Sequence, residues 1–423
     1  MIFRSIAATV ALFACAPATA ATIVTADRML DVQTGRYVDN PAILVGNDGR
    51  IVSIGNLASM QVPAGTPQID LPGRTLVPGL IDMHVHFDGT PLIGGYRTLE
   101  YTDAFDTVLG VPNARATLHA GFTTVRSLGA DNYSDVALRQ AIDEGFIEGP
   151  RIIAATYALG ATGGHCDANT NKPSLARTSP GVADGPQAIR QKVRELRKLG
   201  AQLIKVCATG GVFSRNTDPG AQQMTFEELK MAADEAHMLG MKVAAHAHGA
   251  EGIKAAIRAG IDTIEHVSFI DDEGIRLAKE RGTWLGFDIY NTEYTLAEGA
   301  KNGVLPENIE KERQVGTLQR QNFQKAAQAG AKMIFSSDAG IYPHGQNARQ
   351  FAVMVRFGMT PLEAIRAATL NAARALGRER DVGAIAVGRY GDLVAVVGDP
   401  MRDVTVLESP AAVIKGGKLV KAP

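Results

Sequence analysis

Two histidines, His84 and His86, close the run Thr75-Leu76-Val77-Pro78-Gly79-Leu80-Ile81-Asp82-Met83-His84-Val85-His86. A short apolar run of this kind reads as a buried strand, and alternation places both imidazoles on one face of it. Neutral imidazole is the commonest protein metal ligand, so one strand end that delivers two of them makes half of a metal site. Alone, the pair could equally cap a strand at the surface. Further strand-like runs answer it with Ala161-Thr162-Gly163-Gly164-His165, Leu203-Ile204-Lys205-Val206, His246 with His248, Glu265-His266 and Ser336-Ser337-Asp338. Six of the nine histidines thus fall at predicted strand ends.

Each residue also has a bland role. His119 and His237 sit within helical patterns and read as surface or packing residues. Glu265 alternates to the face opposite His266 and reads as a salt-bridge partner between strand and helices. Asp338 by itself would suit a helix N-cap; beside four histidines aimed at one cavity it reads as a ligand. Lys205 carries most information. An ammonium has no lone pair, so an unmodified lysine here would be half of a buried ion pair. Carbamylated by CO2, it becomes an anionic two-oxygen ligand able to bridge two cations. One cation would then be held by His84, His86 and Asp338, the other by His246 and His266, with the Lys205 carbamate and a hydroxide shared between them.

These side chains require a scaffold that brings strand ends together. Strands are predicted at 79–86, 122–127, 151–156, 203–208, 242–246, 262–267, 283–287 and 332–337, separated by helical stretches with readable ends. Thr225 with Glu228 forms a capping box and Gly240 closes that helix; Thr360, Pro361 and Glu363 open another, which Gly377 closes. Such alternation predicts an α/β chain with a TIM-like (β/α)8 barrel over 77–381, a fold that does its chemistry at the C-terminal ends of its strands. A doubly wound sheet is disfavoured because no G-x-G-x-x-G follows a strand. The flanks, 21–76 and 382–423, carry short β runs with turns at Asn47-Asp48-Gly49 and Gly416-Gly417, predicting one small β-sandwich domain built from both ends of the chain.

The chain has 423 residues, 45% hydrophobic and 21% charged, with a formal net charge of −1. That describes an ordinary globular protein with no electrostatic footprint for nucleic acid or an anionic membrane, so a small neutral or modestly charged substrate is expected. Residues 1–20 read as a signal peptide: Arg4 is the basic n-region, Ile6 to Ala14 the apolar stretch, and Ala18-Thr19-Ala20 the cleavage site. A periplasmic or secreted protein beginning at Ala21 follows, with no membrane span. A lipoprotein anchor on Cys15 is the competing reading, against which bulky Phe13 counts. Cys166 and Cys207 could form a disulfide in that compartment; free structural cysteines are expected instead.

In this order and at these spacings the residues resemble the amidohydrolase superfamily in its binuclear form, over the whole mature chain. Within it, Gly163-Gly164-His165, Thr209-Gly210-Gly211-Val212, His246-Ala247-His248-Gly249 and His344-Gly345-Gln346-Asn347-Ala348-Arg349 are similar to Xaa-Pro-type dipeptidases and ochratoxin-hydrolysing amidohydrolases. The resemblance implies two divalent metal ions, zinc being expected, with His246 as a ligand and His248 facing substrate. It also implies a homo-oligomer, an octamer in this branch. The expected reaction is hydrolysis of an amide or dipeptide whose leaving amine is an amino acid with a free carboxylate, such as the phenylalanine of ochratoxin A. A hydroxide shared by the cations would attack, with Asp338 moving the proton. His165 or His248 would stabilise the oxyanion or bind the carboxylate, His344 and Arg215 are further carboxylate partners, and Val212, Phe213 and Ile341 line an apolar pocket. An esterase or lactonase would use the same metals. A deaminase is disfavoured by Gly249, where a catalytic Glu is usual, and by the presence of Lys205. A scaffold that has lost catalysis is disfavoured because every expected ligand is present.

Overall fold

A computed structural model describes residues 22–423 except 94 and 176. The signal peptide, its cleavage after Ala20 and the alternative anchor at Cys15 lie outside the described residues. Strands from both ends of the chain hydrogen-bond into one eight-stranded sheet. Thr22–Asp31 pairs in parallel with Gln68–Pro78, which pairs antiparallel with Leu393–Val397 from the C-terminal side, Val77 opposite Val394. The expected hairpins are present on either side: Ala42–Val45 with Ile51–Gly55, and Ala412–Lys415 with Lys418–Lys421. Val24, Ile43, Leu76, Leu393 and Ile414 give this sheet an apolar core of its own.

The Gln68–Pro78 strand runs through Gly79 into the centre of the molecule. A Cβ on Gly79 would stand 2.2 Å from Thr123 Oγ1 and 2.7 Å from Asp392 Cβ, so this junction admits only glycine. Beyond it lie eight parallel strands in two sheets. Leu80–Val85, Phe122–Ser127 and Arg151–Ala154 form one; Leu203–Cys207, Lys242–Ala247, Thr263–His266, Trp284–Phe287 and Met333–Phe335 form the other. Each lies within two residues of its predicted bounds. The first, second, fourth and sixth strands are buried along their whole length, as befits parallel strands covered by helices. Those covering helices are α1 (Asp103–His119), α2 (Ser134–Asp143), α3 (Pro186–Lys198), α4 (Phe226–Met238), α5 (Ala250–Ala259), α6 (Asp272–Arg281), α7 (Asn291–Glu298) and α8 (Pro306–Gln328). Both predicted capping boxes form, Thr225 with Glu228 on α4 and Thr360 with Glu363 on the Pro361–Arg366 helix.

Isolated parallel bridges join the two sheets at both seams, Leu159 to Val206 and Val85 to Ala339. At the second seam His86 N donates to Ala339 O and Asp338 N to His84 O, each at 2.8 Å. Backbone hydrogen bonds therefore hold the three residues that the first and last strands contribute to the site.

The cysteine expectation is overturned: Cys166 and Cys207 are joined in a disulfide, with Cα atoms 6.1 Å apart. The cause is the path of the loop after the third strand. Leu159 N donates to Lys205 O and Cys207 N to Leu159 O, which lays this loop alongside the fourth strand. Among the described residues no helix is long and apolar enough to cross a membrane.

Candidate metal centre

Three groups of donor atoms converge at the C-terminal ends of the parallel strands, each within 4.8 Å: His84, His86 and Asp338; His246, His248 and His266; His266, Asp288 and Asp338. Asp338 and His266 each belong to two groups, so the groups form one continuous floor. Asp338 Oδ1 stands 3.4 Å from His84 Nε2 and 3.3 Å from His86 Nε2, and the two ring nitrogens are 3.2 Å apart. His266 Nδ1 faces Asp288 Oδ2 at 3.1 Å yet, although buried, makes no hydrogen bond. Imidazole nitrogens and carboxylate oxygens turned on one another in this way fit divalent cations of the zinc type.

Burial holds His84, His246 and His248 well below the usual histidine range, which keeps their ring lone pairs free for ligation. Burial also pulls His86 and His266 down, but the carboxylates of Asp338 and Asp288 outweigh it and leave both raised. Asp288 is held at about 2, its burial being outweighed by His266. Lys205, 3% exposed, stands in the same cavity, and burial lowers its ammonium to about 8.

Strand alternation alone does not produce this floor. His266, Val267 and Asp338 adopt positive φ values of 70°, 56° and 58°, conformations that persist only where the surroundings enforce them. The turn at His266 breaks the alternation, so Glu265 does not point out towards the helices as the sequence suggested. It stays inside, ion-paired with Arg126 of the second strand, accepting from Ser336 Oγ at 2.9 Å and standing 3.5 Å from His84 Nδ1. Arg126 in turn donates to Met83 O at 2.6 Å. The ion pair that forms joins two strands and not a strand and a helix, and it lies beneath the donor floor, next to His84.

His165 lies where the sequence placed it. Its ring stacks on His246 at 4.1 Å between centroids, Nδ1 hydrogen-bonds Ser214 Oγ at 2.7 Å, and burial lowers its pKa to about 3. A Cβ on Gly211 would stand 2.4 Å from that ring and one on Gly210 2.1 Å from Asp218 O, which explains the glycine pair in Thr209-Gly210-Gly211-Val212. His248, expected to face substrate, lines the cavity; its ring also stacks on His266 at 4.7 Å within the second donor group, with Nδ1 on Ser268 Oγ at 2.8 Å. His165, His248, Val212, Phe213 and Ile341 all line a cavity of about 510 Å3 above the floor.

Two expected carboxylate partners do not line it. Arg215 is largely exposed, donating to Tyr96 Oη at 3.0 Å and standing 3.8 Å from Glu307. His344 spends both nitrogens on the chain, Nε2 on His86 O at 2.9 Å and Nδ1 on Thr117 Oγ1 at 3.0 Å. It braces the strand end that carries His84 and His86 and does not line the cavity. Conversely, Asp288 was missed, although an acidic residue directly after a predicted strand was a signal of the same kind as Asp338. Asn291 and Gln319 were also missed. Asn291 Nδ2 donates to Asp288 at 2.7 Å and to Asp338 at 3.0 Å, and Gln319 Nε2 donates to Asp288 at 2.6 Å and to His266 O at 3.0 Å.

The sequence profile of the Amidohydrolase family matches residues 75–420, a span that contains every donor on the floor. The chain belongs to the amidohydrolase family. It is 36% identical over 374 residues to ochratoxinase of Aspergillus niger, covering 82% of this chain and 76% of that protein. Among solved structures, a Xaa-Pro dipeptidase with methionine bound in its active site superposes with a TM-score of 0.88 at 36% identity, over 94% of this chain and 99% of that one. The A. niger ochratoxinase structure gives 0.82 at 31% identity, over 96% of each chain. As a member of this family the chain is a metal-dependent hydrolase of amide bonds.

Proposed function

We propose that this amidohydrolase cuts an amide bond whose leaving amine is an amino acid with a free carboxylate. We further propose two divalent cations, zinc being expected, held by His84, His86 and Asp338 and by His246 and His266, with Lys205 carbamylated between them; Asp288 and His248 lie within reach of the second. The eight parallel strands read as a closed (β/α)8 barrel, which the two seam bridges support. The observation that carries the reading is the shared floor: donor groups linked through Asp338 and His266 beneath a cavity with apolar walls.

When bound, such cations supply a Lewis acid for the scissile carbonyl and lower the pKa of water. The chain's own residues do the rest. Asn291, donating to Oδ2, orients the Asp338 carboxylate that takes a proton from the attacking water and delivers it to the leaving nitrogen. His165, with Nδ1 tied to Ser214, offers Nε2 to the oxyanion or the carboxylate. With Arg215 and His344 committed elsewhere, His165 and His248 are the partners left for that carboxylate. Val212, Phe213 and Ile341 take an apolar side chain.

The test compares free-acid and C-terminally amidated forms of one N-acyl amino acid. Amidation is expected to lower kcat/KM at least about tenfold, roughly 1.4 kcal/mol of transition-state binding. Equal rates would leave an endo-acting amidase or an esterase as the better reading. The leader is proposed to direct export, to be tested by sequencing the amino terminus of periplasmic material for a start at Ala21. The homo-oligomer implied by resemblance is tested by light scattering.

A further inference from the structure

Helix α8 forms one wall of the cavity and turns a polar stripe towards it. Asn308, Glu312, Val315 and Gln319 are spaced by four, three and four residues, which is one helical face, and all four are buried cavity-lining residues. Gln319 is accounted for by Asp288 and the His266 carbonyl. The other two polar members are not. Glu312 is 5% exposed and accepts one hydrogen bond, from Thr292 Oγ1 to Oε1; its second oxygen has no partner among the described residues. Asn308 is 7% exposed, and its Oδ1 is buried without a partner. The nearby cation Arg320 does not answer them, since its guanidinium donates to Ile289 O and stands 3.6 Å from Glu293.

Asn308 Oδ1 is a buried acceptor left without a donor, which is costly, and the free oxygen of Glu312 belongs to a residue that lines the cavity. Native structures keep such groups where a ligand completes them. The stripe also sits beside the reacting centre: Asn291 and Thr292 are consecutive, the first donating to Asp338 and the second to Glu312. A group bound at Glu312 would therefore lie on the same wall of the cavity as the residue that holds Asp338.

We infer that Glu312 and Asn308 form the subsite for a free ammonium on the acyl side of the scissile bond, which makes the preferred substrate a dipeptide with an unblocked amino terminus. This rests on the amide-hydrolase reading above and narrows it. A carboxylate oxygen and the buried amide oxygen of Asn308, both acceptors, suit an N–H-rich cation better than an acyl group without donors. An N-acyl amino acid would fill the cavity and leave both acceptors bare. The apolar residues opposite, Val212, Phe213 and Ile341, then serve the side chains.

The experiment uses the metal-loaded full chain and a matched pair of substrates, a dipeptide with a C-terminal phenylalanine and the same compound lacking the α-amine. Wild type should favour the amine-bearing member at least about tenfold in kcat/KM, and Glu312→Gln should lower that ratio about tenfold. Asn308→Ala should lower it in the same direction by a smaller factor, and it gives the same reading should Glu312→Gln fail to fold. A wild-type ratio near one, or a ratio unchanged in a folded variant, overturns the subsite while amide hydrolysis stands. If neither amide is turned over, the amide reading fails and takes the subsite with it.

Discussion

The floor of the cavity and its rim are built from similar residue types and put them to opposite uses. On the floor, His84, His246 and His266 stand at ends of buried parallel strands, where neighbouring backbone fixes their directions and desolvation or a facing carboxylate sets their charge. At the rim, His344 and Arg215 also look like substrate partners, but one braces the His86 carbonyl and the other links Tyr96 with Glu307 near solvent. A side chain acts on a ligand only where the fold has left its polar atoms unspent. Floor substitutions should therefore be felt as lost chemistry, and rim substitutions as slight changes in binding.

Asp338→Asn puts the largest strain on that contrast. Removing the proton acceptor should cost at least about 100-fold in kcat, the lower end for general acid–base catalysis, read on any amide the wild type cuts. A loss below tenfold would place the proton transfer elsewhere. Lys205→Ala comes next: metal content by elemental analysis should fall from about two equivalents to one or fewer with activity lost, partly restored by a short carboxylic acid that occupies the vacated carbamate position. Full occupancy with normal turnover would remove Lys205 from the floor.

The double substitution Cys166→Ser with Cys207→Ser acts between the two regions, because the bridge ties the loop carrying His165 to the strand carrying Lys205. Closing 41 residues restricts the unfolded chain by about 4 kcal/mol at 25 °C, so the urea midpoint should fall accordingly, and native protein should show no free thiol at these positions before reduction. Arg215→Ala is expected to do least. An exposed pair of this kind contributes about 0–1 kcal/mol, so KM for a carboxylate-bearing substrate should shift less than about fivefold. A shift beyond tenfold would show that Arg215 leaves Tyr96 and Glu307 to bind substrate.

What was legible follows from how local each signal is. The eight strands were readable because short buried runs bounded by caps and glycines need no distant partner to be recognised. Glu265 was misread because alternation holds only while the backbone stays extended, and His266 leaves that region with φ at +70°. Asp288 was missed although it directly follows a predicted strand, and the α8 stripe because a Gln and a Glu on a polar helix carry no spacing of their own. Cys166 and Cys207, 41 residues apart, were misread as free because only the loop folded against the fourth strand brings them together.

By itself the sequence determined the alternation of strands and helices, the β-rich character of both chain ends and the donors at the strand ends, since these depend on periodicity, capping and residue type within a few positions. Only the tertiary structure decided which polar side chains are spent on the chain and which are left for a ligand. That is a question of what stands within about 3 Å of an atom, and the residues that answer it for His344, Glu265 and Glu312 lie from 20 to 258 positions away.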